Sequence, residues 1–285
     1  MTLFGLALVL AAAFCHATWN LLIKRINGGP ELVWLFSVVA VLIYLPVAIY
    51  ILVTETPVFG PREFIFIVGS AVLHLVYFLL LQAGYRKGDL SLVYPTARAT
   101  GPLLSTTFAV WFLGETMTPQ IATGAVTVII GVVYLTGGFR TGTTNLTTSL
   151  FFGICAGFLI GTYTVWDAHA VSTLLIPPLL LEYASSIGRS VLLAPIAVRR
   201  KELVKVHWRD HRTAVIAIAV FNPLAYILVL YALTFTPVIY VAPTREISVL
   251  LTVLAGSLLL GEGDLKRRMT WAGVILFGVA LLATA

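Results

Sequence analysis

The chain has 285 residues, 59% of them hydrophobic and 11% charged, with a formal charge of +6 and a mean hydropathy of +1.00. Soluble domains carry about 25% charged residues, so this composition excludes an ordinary soluble core and reads as an all-α integral membrane protein in a lipid bilayer. The basic residues fall in short stretches between apolar runs, so the positive charge does not point to nucleic acid.

A spanning helix needs about 20 mostly apolar residues. Ten runs qualify in chain order: 2–24, 32–53, 63–85, 91–113, 119–138, 148–168, 175–198, 212–233, 238–260 and 269–284. The first lacks a positive leading region and a small-residue cleavage site, so it reads as a membrane helix and not as a signal peptide. Turn-forming stretches separate the runs, among them "NGGPE" at 27–31, "GETMTPQ" at 114–120 and "GGFRTGTTN" at 137–145. Pro119 suits a first helical position, where no amide donor is missed. Lys and Arg gather after helices 1, 3, 5, 7 and 9 (Lys24, Arg25, Arg86, Lys87, Arg140, the basic 199–212 stretch, Lys266 to Arg268), whereas only Arg62 follows an even-numbered helix. Basic loops stay in the cytoplasm, which predicts both termini outside. Cys15 and Cys155 lie in apolar runs and are expected to be buried thiols. No His/Cys cluster has metal-ligand spacing and no glycine loop suits a phosphate, so no cofactor or metal is expected.

A shift of 147 residues superposes the chain on itself without a gap. Trp19 falls on Trp166, Asn20 on Asp167, His16 on Tyr163, Arg98 on Arg245, Gly114-Glu115 on Gly261-Glu262 and Gly131 on Gly278. The chain therefore divides into two five-helix repeats, 1–140 and 141–285. Five is odd, so the repeats must be inverted in the membrane, an architecture common among secondary transporters.

The stretch "HATWNLLIK" in helix 1, the Gly-Glu pairs closing helices 4 and 9, and the glycine-rich helices 5 and 10 ("GAVTVIIGVVYLTGG", "WAGVILFGVALL") resemble the drug/metabolite transporter superfamily, EamA type. The resemblance covers the whole chain. It implies a ten-helix basket whose central cavity is lined mainly by helices 1, 3, 4, 6, 8 and 9, and a small-molecule substrate. It implies residence in a bacterial inner (plasma) membrane. It fixes neither arginine as a ligand.

The arginines stand on physical grounds. One at the centre of a spanning helix costs about 2.5–3.5 kcal/mol on insertion scales, and is tolerated when it faces a wet cavity or a partner. Arg98 and Arg245 each lie seven residues into their helices, roughly 10 Å from the start at about 1.5 Å per residue. Pro95, Pro102 and Pro243 flank them, and proline-broken backbone at membrane depth is found where it lines a cavity. A guanidinium offers a planar fork to a carboxylate or phosphate, so the pair reads as an anion clamp. The structural alternative neutralises Arg245 with Glu246 or Asp167 and ties Arg98 to backbone carbonyls at the kink. Adjacent residues point about 100° apart on a helix, so Glu246 is expected to face another helix than Arg245.

Helical spacing supplies the other substrate-binding candidates. They are His16, Trp19 and Asn20 on helix 1, Tyr77 beside His74 on helix 3, Tyr94 on helix 4, Tyr163 and Trp166 on helix 6, Asn222 and Tyr226 on helix 8, and Ser248 on helix 9. The tryptophans also suit an interfacial belt, and His74 alone could bond a backbone carbonyl. Asp167 and Glu246 are the candidates for proton coupling, with a counter-substrate as the alternative. Glu182 lies seven residues before Arg189, too far for direct contact, and the two read as a shared structural or gating patch. Glu115 and Glu262 sit just before helices 5 and 10 and read as helix-start caps.

Three functions compete. A secondary transporter for a small anionic or zwitterionic metabolite uses both arginines through alternating access. A multidrug or organic cation exporter of the same fold would use Glu246 and Asp167. A membrane transferase would need a nucleophile–base pair, and only His207, Asp210 and His211 lie close together in sequence, so the chain is not read as an enzyme.

Overall fold

The structure is a computed structural model that describes residues 1–26, 28–87, 90–135, 146–251, 254 and 265–285. Arg140, Gly261, Glu262 and the last part of the expected ninth helix lie outside the described residues. The helices are α1 (Leu3–Ile26), α2 (Pro30–Thr54), α3 (Pro61–Lys87), α4 (Leu90–Phe108), α5 (Pro119–Leu135), α6 (Leu146–Ser172), α7 (Pro178–Arg199), α8 (Lys201–Leu233), α9 (Val238–Thr244) and α10 (Leu265–Thr284). Among the described residues, α1, α2, α3, α6, α7 and α8 are long and apolar enough to cross a membrane, and α5 and α10 carry shorter apolar stretches. Helix α4, which bears Arg98, is not in either group. The outward faces are apolar, with Phe14, Ile49, Trp111 and Phe112 exposed, as a lipid-facing surface requires.

The packing repeats with the sequence. Exchanging each helix for the one five places later turns the α3–α6 contact into α8–α1 and the α2–α8 contact into α7–α3. It returns α2–α7 and α5–α10 unchanged. All six contacts are present. Two repeats related by a two-fold axis in the membrane plane produce this pattern, and α2–α7 and α5–α10 flank that axis. The matched glycines serve it: a Cβ on Gly131 would lie 3.2 Å from the Ile275 nitrogen, and one on Gly278 2.9 Å from the nitrogen of Val128, the counterpart of Ile275.

The closest approach carries a signal that the sequence reading missed. Gly153, Gly157 and Gly161 are four residues apart on α6. A Cβ on each would lie 3.1 Å from the Val93 oxygen, the Gly101 nitrogen and the Leu104 carbonyl carbon of α4. Small residues at this spacing let two helix backbones touch, and here they press the helix of Arg98 against the helix of Asp167.

Three boundaries differ from the sequence expectation. The basic 199–211 stretch is not a loop: α8 begins at Lys201 and breaks its helical conformation only at His211 (φ −131°, ψ 21°). Its exposed Lys201, Glu202 and Arg209 favour a charged surface turn of helix before the span. The end of α4 widens into a π-helical turn, Ala109–Leu113, closed by Gly114 at φ +69°, a conformation that glycine adopts without a Cβ penalty. Helix α9 is interrupted. Pro243 offers no amide, the backbone tightens to three-residue bonds (Glu246 N to Pro243 O, Ser248 N to Arg245 O, both 3.0 Å), and Arg245 and Glu246 occupy the break before helix resumes at 247.

The two ends of the bundle are tied separately. At one end buried Glu31 accepts from Arg200 Nη1 at 2.9 Å and lies 3.6 Å from His207, joining the α1–α2 turn to the basic stretch. At the other, Glu115 accepts from the amides of Val238 and Ile239 at 2.7 and 2.9 Å. Glu115 therefore caps α9 of the opposite repeat, not the adjacent α5, whose first turn takes Thr118 Oγ1 instead. Burial pushes the Glu115 carboxyl up, and the two amide donors oppose the rise. Glu115→Ala is expected to cost about 1–3 kcal/mol for the amides left unpaired, read as a lowered Tm in detergent, with Glu115→Gln closer to wild type because it keeps one acceptor oxygen.

Arg189 and Glu182 correct another expectation. They are in direct contact, Nη2 to Oε1 at 2.7 Å, with Ser186 bonded to both. Helical side chains lean toward the N-terminus, and the long arginine folds back over the intervening turns. Glu182 is buried, so Arg189→Met alone should cost about 3–5 kcal/mol. Adding Glu182→Gln should recover most of it, and thermal unfolding of the two variants checks this. Cys15 is a buried free thiol, whereas Cys155 is only partly buried.

Candidate functional site

Polar side chains of α1, α3, α4, α6, α8 and α9 meet inside the bundle. On α6, Tyr163 and Asp167 stand one turn apart and share a face. Asp167 is fully buried. Its Oδ2 accepts from His74 Nε2 of α3 at 2.9 Å and from the Tyr226 hydroxyl of α8. His74 thus finds a carboxylate where the sequence alone allowed a backbone carbonyl. Its ring also lies 4.2 Å from that of Tyr163 and 4.9 Å from that of Tyr226. Tyr77, one turn from His74, meets Tyr163 edge-on at 5.7 Å.

The two arginines enter this aromatic cluster from opposite repeats and have different company. Arg98 packs over the Tyr94 ring at 5.5 Å and meets Glu246 across the repeats, Nη1 to Oε1 at 3.4 Å. Glu246 therefore faces α4, away from Arg245, in keeping with the offset of about 100° between adjacent residues. Arg245 stands over the Tyr226 ring at 5.8 Å and near Tyr163. Among the described residues no carboxylate lies within ion-pair distance of it. His16 and Tyr77 lie within electrostatic range of both arginines.

Two buried oxygens face this cluster without a donor among the described residues, Asp167 Oδ1 and Glu246 Oε2. An unmet buried acceptor costs about 1–3 kcal/mol, so each is a place for a proton, a water or a substrate group.

The remaining candidates are dispersed. Asn20 bonds its own helix through His16 Nδ1 and O, at 2.8 and 2.9 Å, and Trp19 packs edge-on to His16 at 4.9 Å. Trp166 donates to the Phe66 oxygen at 2.9 Å and stacks on the Phe66 ring, which places it in the α3–α6 contact. Asn222 is half-buried one turn before Tyr226, and Ser248 is buried after the α9 break. No group of three metal-ligating side chains occurs among the described residues.

The sequence model of the EamA-like transporter family matches twice, over residues 3–137 and 147–284. The chain belongs to the EamA-like transporter family. It is an integral membrane protein of the drug/metabolite transporter type, built as two repeats. No curated protein matches it. A solved crystal structure 14% identical in sequence superposes with a TM-score of 0.73 over 98% of this chain and 96% of its own, a likeness of fold alone. Family membership implies a small-molecule substrate in a lipid environment.

Proposed function

We propose that this EamA-like protein is a secondary transporter that moves a small anionic or zwitterionic metabolite by alternating access of its two halves, 1–140 and 141–285. Arg245 is its acid-group ligand. One observation carries the reading: Arg98 is paired with Glu246, whereas Arg245 lies in a buried aromatic setting with no carboxylate within ion-pair distance among the described residues. A guanidinium in low dielectric favours a bidentate carboxylate or phosphate. The tyrosines around it suit the apolar part of the substrate, and Glu246 Oε2 suits an ammonium if there is one. Interrupted helices with the site at the break are the usual substrate seat of inverted-repeat transporters. The distribution of Lys and Arg supports both termini outside a plasma (inner) membrane.

The competing reading, an organic cation exporter, draws on the bare oxygens of Asp167 and Glu246 and on the aromatic rings, which also suit cations. Counterflow in proteoliposomes decides between them. Vesicles preloaded with carboxylates, phosphate esters, amino acids or organic cations are scored for uptake of the labelled counterpart. Uptake of acid-bearing compounds is expected. Uptake confined to cations would overturn the reading.

A further inference from the structure

The Asp167 carboxylate is used on one side only. Oδ2 takes both partners, His74 and Tyr226, while Oδ1 has none among the described residues. Asp167 is fully buried and the His74 side chain is 14% exposed, so a proton reaching the pair has histidine as its entry point. Tyr226 has a double attachment: its hydroxyl donates to Asp167 while its ring lies beneath Arg245. Tyr163 repeats the link, with its ring on His74 and its hydroxyl edge toward Arg245. Tyr163 of α6 and Tyr226 of α8 face the pair directly, with Tyr77 of α3 on Tyr163; Tyr94 and Arg98 of α4, and Arg245 and Glu246 in the break after α9, surround those tyrosines. Beyond these lie His16 of α1 and, on α6 itself, His169.

We propose that the His74–Asp167 pair is the seat of a coupling proton, tied through Tyr226 to anion binding at Arg245, so that one proton and one monoanion cross together. The inference rests on the transporter reading and on Arg245 as the ligand. Charge balance carries it. Arg98 and Glu246 cancel. Without its proton the pair holds one negative charge, which offsets Arg245 across Tyr226, and the empty site is neutral overall. With its proton on His74 or on Asp167 Oδ1 the pair is neutral, Arg245 stands uncompensated, and a monoanion restores neutrality. Both the empty and the fully loaded forms can change their side of the membrane without carrying an unbalanced buried charge, the costly species in hydrocarbon. The form with a proton alone or an anion alone cannot. The same coupling is reciprocal: the anion raises the affinity for the proton, and the proton that for the anion.

The test uses the full chain in proteoliposomes, with lactate, glycerate and N-acetylphenylalanine as probes, a pH-sensitive dye inside and protein-free vesicles as the control. In the wild type, probe entry should acidify the lumen, speed up as the outside pH falls, and ignore a potassium–valinomycin potential. Asp167→Asn should lose proton-driven accumulation by at least about tenfold while counterflow persists at a reduced rate, because exchange never requires the empty site to return. His74→Gln keeps a hydrogen bond to Asp167 and serves as the milder variant. It should flatten the pH dependence. Accumulation by both variants that matches the wild type, or entry driven by potential, would each overturn the proton seat while leaving the transporter reading in place. If none of the probes nor any anion in the counterflow panel moves, the transporter reading itself fails, and the coupling with it.

Discussion

Arg245→Gln is expected to abolish anion counterflow and leave the protein folded. The substitution removes a buried cation whose neighbours are Tyr226 and Tyr163, with Glu246 in electrostatic range but held by Arg98, so it leaves no orphaned carboxylate and relieves a charge in the membrane. A bound acid group, by contrast, loses its one unspent positive partner. Truncating one side of a buried charged contact costs about 2–5 kcal/mol of affinity, roughly thirty- to several-thousandfold. Arg98→Gln makes the informative contrast. It strands Glu246, which is 96% out of solvent, and breaking such a pair by one partner costs about 3–5 kcal/mol. Its signature is a lowered Tm, and adding Glu246→Gln should restore much of it. Arg245→Gln should show the reverse pattern, with flux lost and Tm kept. If Arg245→Gln transports normally, the anion site is elsewhere.

Gly157→Val should give the largest loss of folded protein. Any Cβ at this position runs into Thr100 and comes within 3.1 Å of the Gly101 nitrogen. That neighbour is backbone and cannot rotate away. Overpacking a tight core costs about 1–3 kcal/mol or more, and here two branches of valine add to a clash that alanine already makes. Separating α4 from α6 also moves Arg98 away from Tyr163 and Asp167, so residual folded protein should transport poorly. Gly273→Ala is the control. A Cβ there meets nothing within 4 Å, and alanine favours helix by about 1 kcal/mol. Thermal unfolding and detergent-extracted yield of the two variants check this.

Composition and local periodicity make the helical frame legible in the sequence. A spanning helix is a local property of some twenty residues, so apolar runs mark it, and a common offset of 147 marks the repeat. Partner choice was less legible, because it depends on which helices become neighbours. Glu246 facing away from Arg245 followed from a 100° turn. That it meets Arg98 did not, and nor did the meeting of His74 with Asp167. Glu115 read as a cap for the helix next in sequence, yet the amides it satisfies are more than 120 residues away in the chain. The Arg189–Glu182 contact failed for another reason: counting residues along an axis ignores the reach of a long side chain. The glycines at 153, 157 and 161 were visible all along, and their four-residue spacing was the one available sign of which helix would pack most tightly.

The Glu115 carboxylate grips the first amides of a seven-residue helix whose far end is Arg245. Seven residues span roughly 10 Å at about 1.5 Å each, so one short lever, broken only at Pro243 beside the guanidinium, lies between the connector after α4 and Arg245. In the proposed transport cycle a displacement of that connector would be handed along the lever to Arg245, and the mouth of the bundle and the proposed acid-group ligand would turn as one crank.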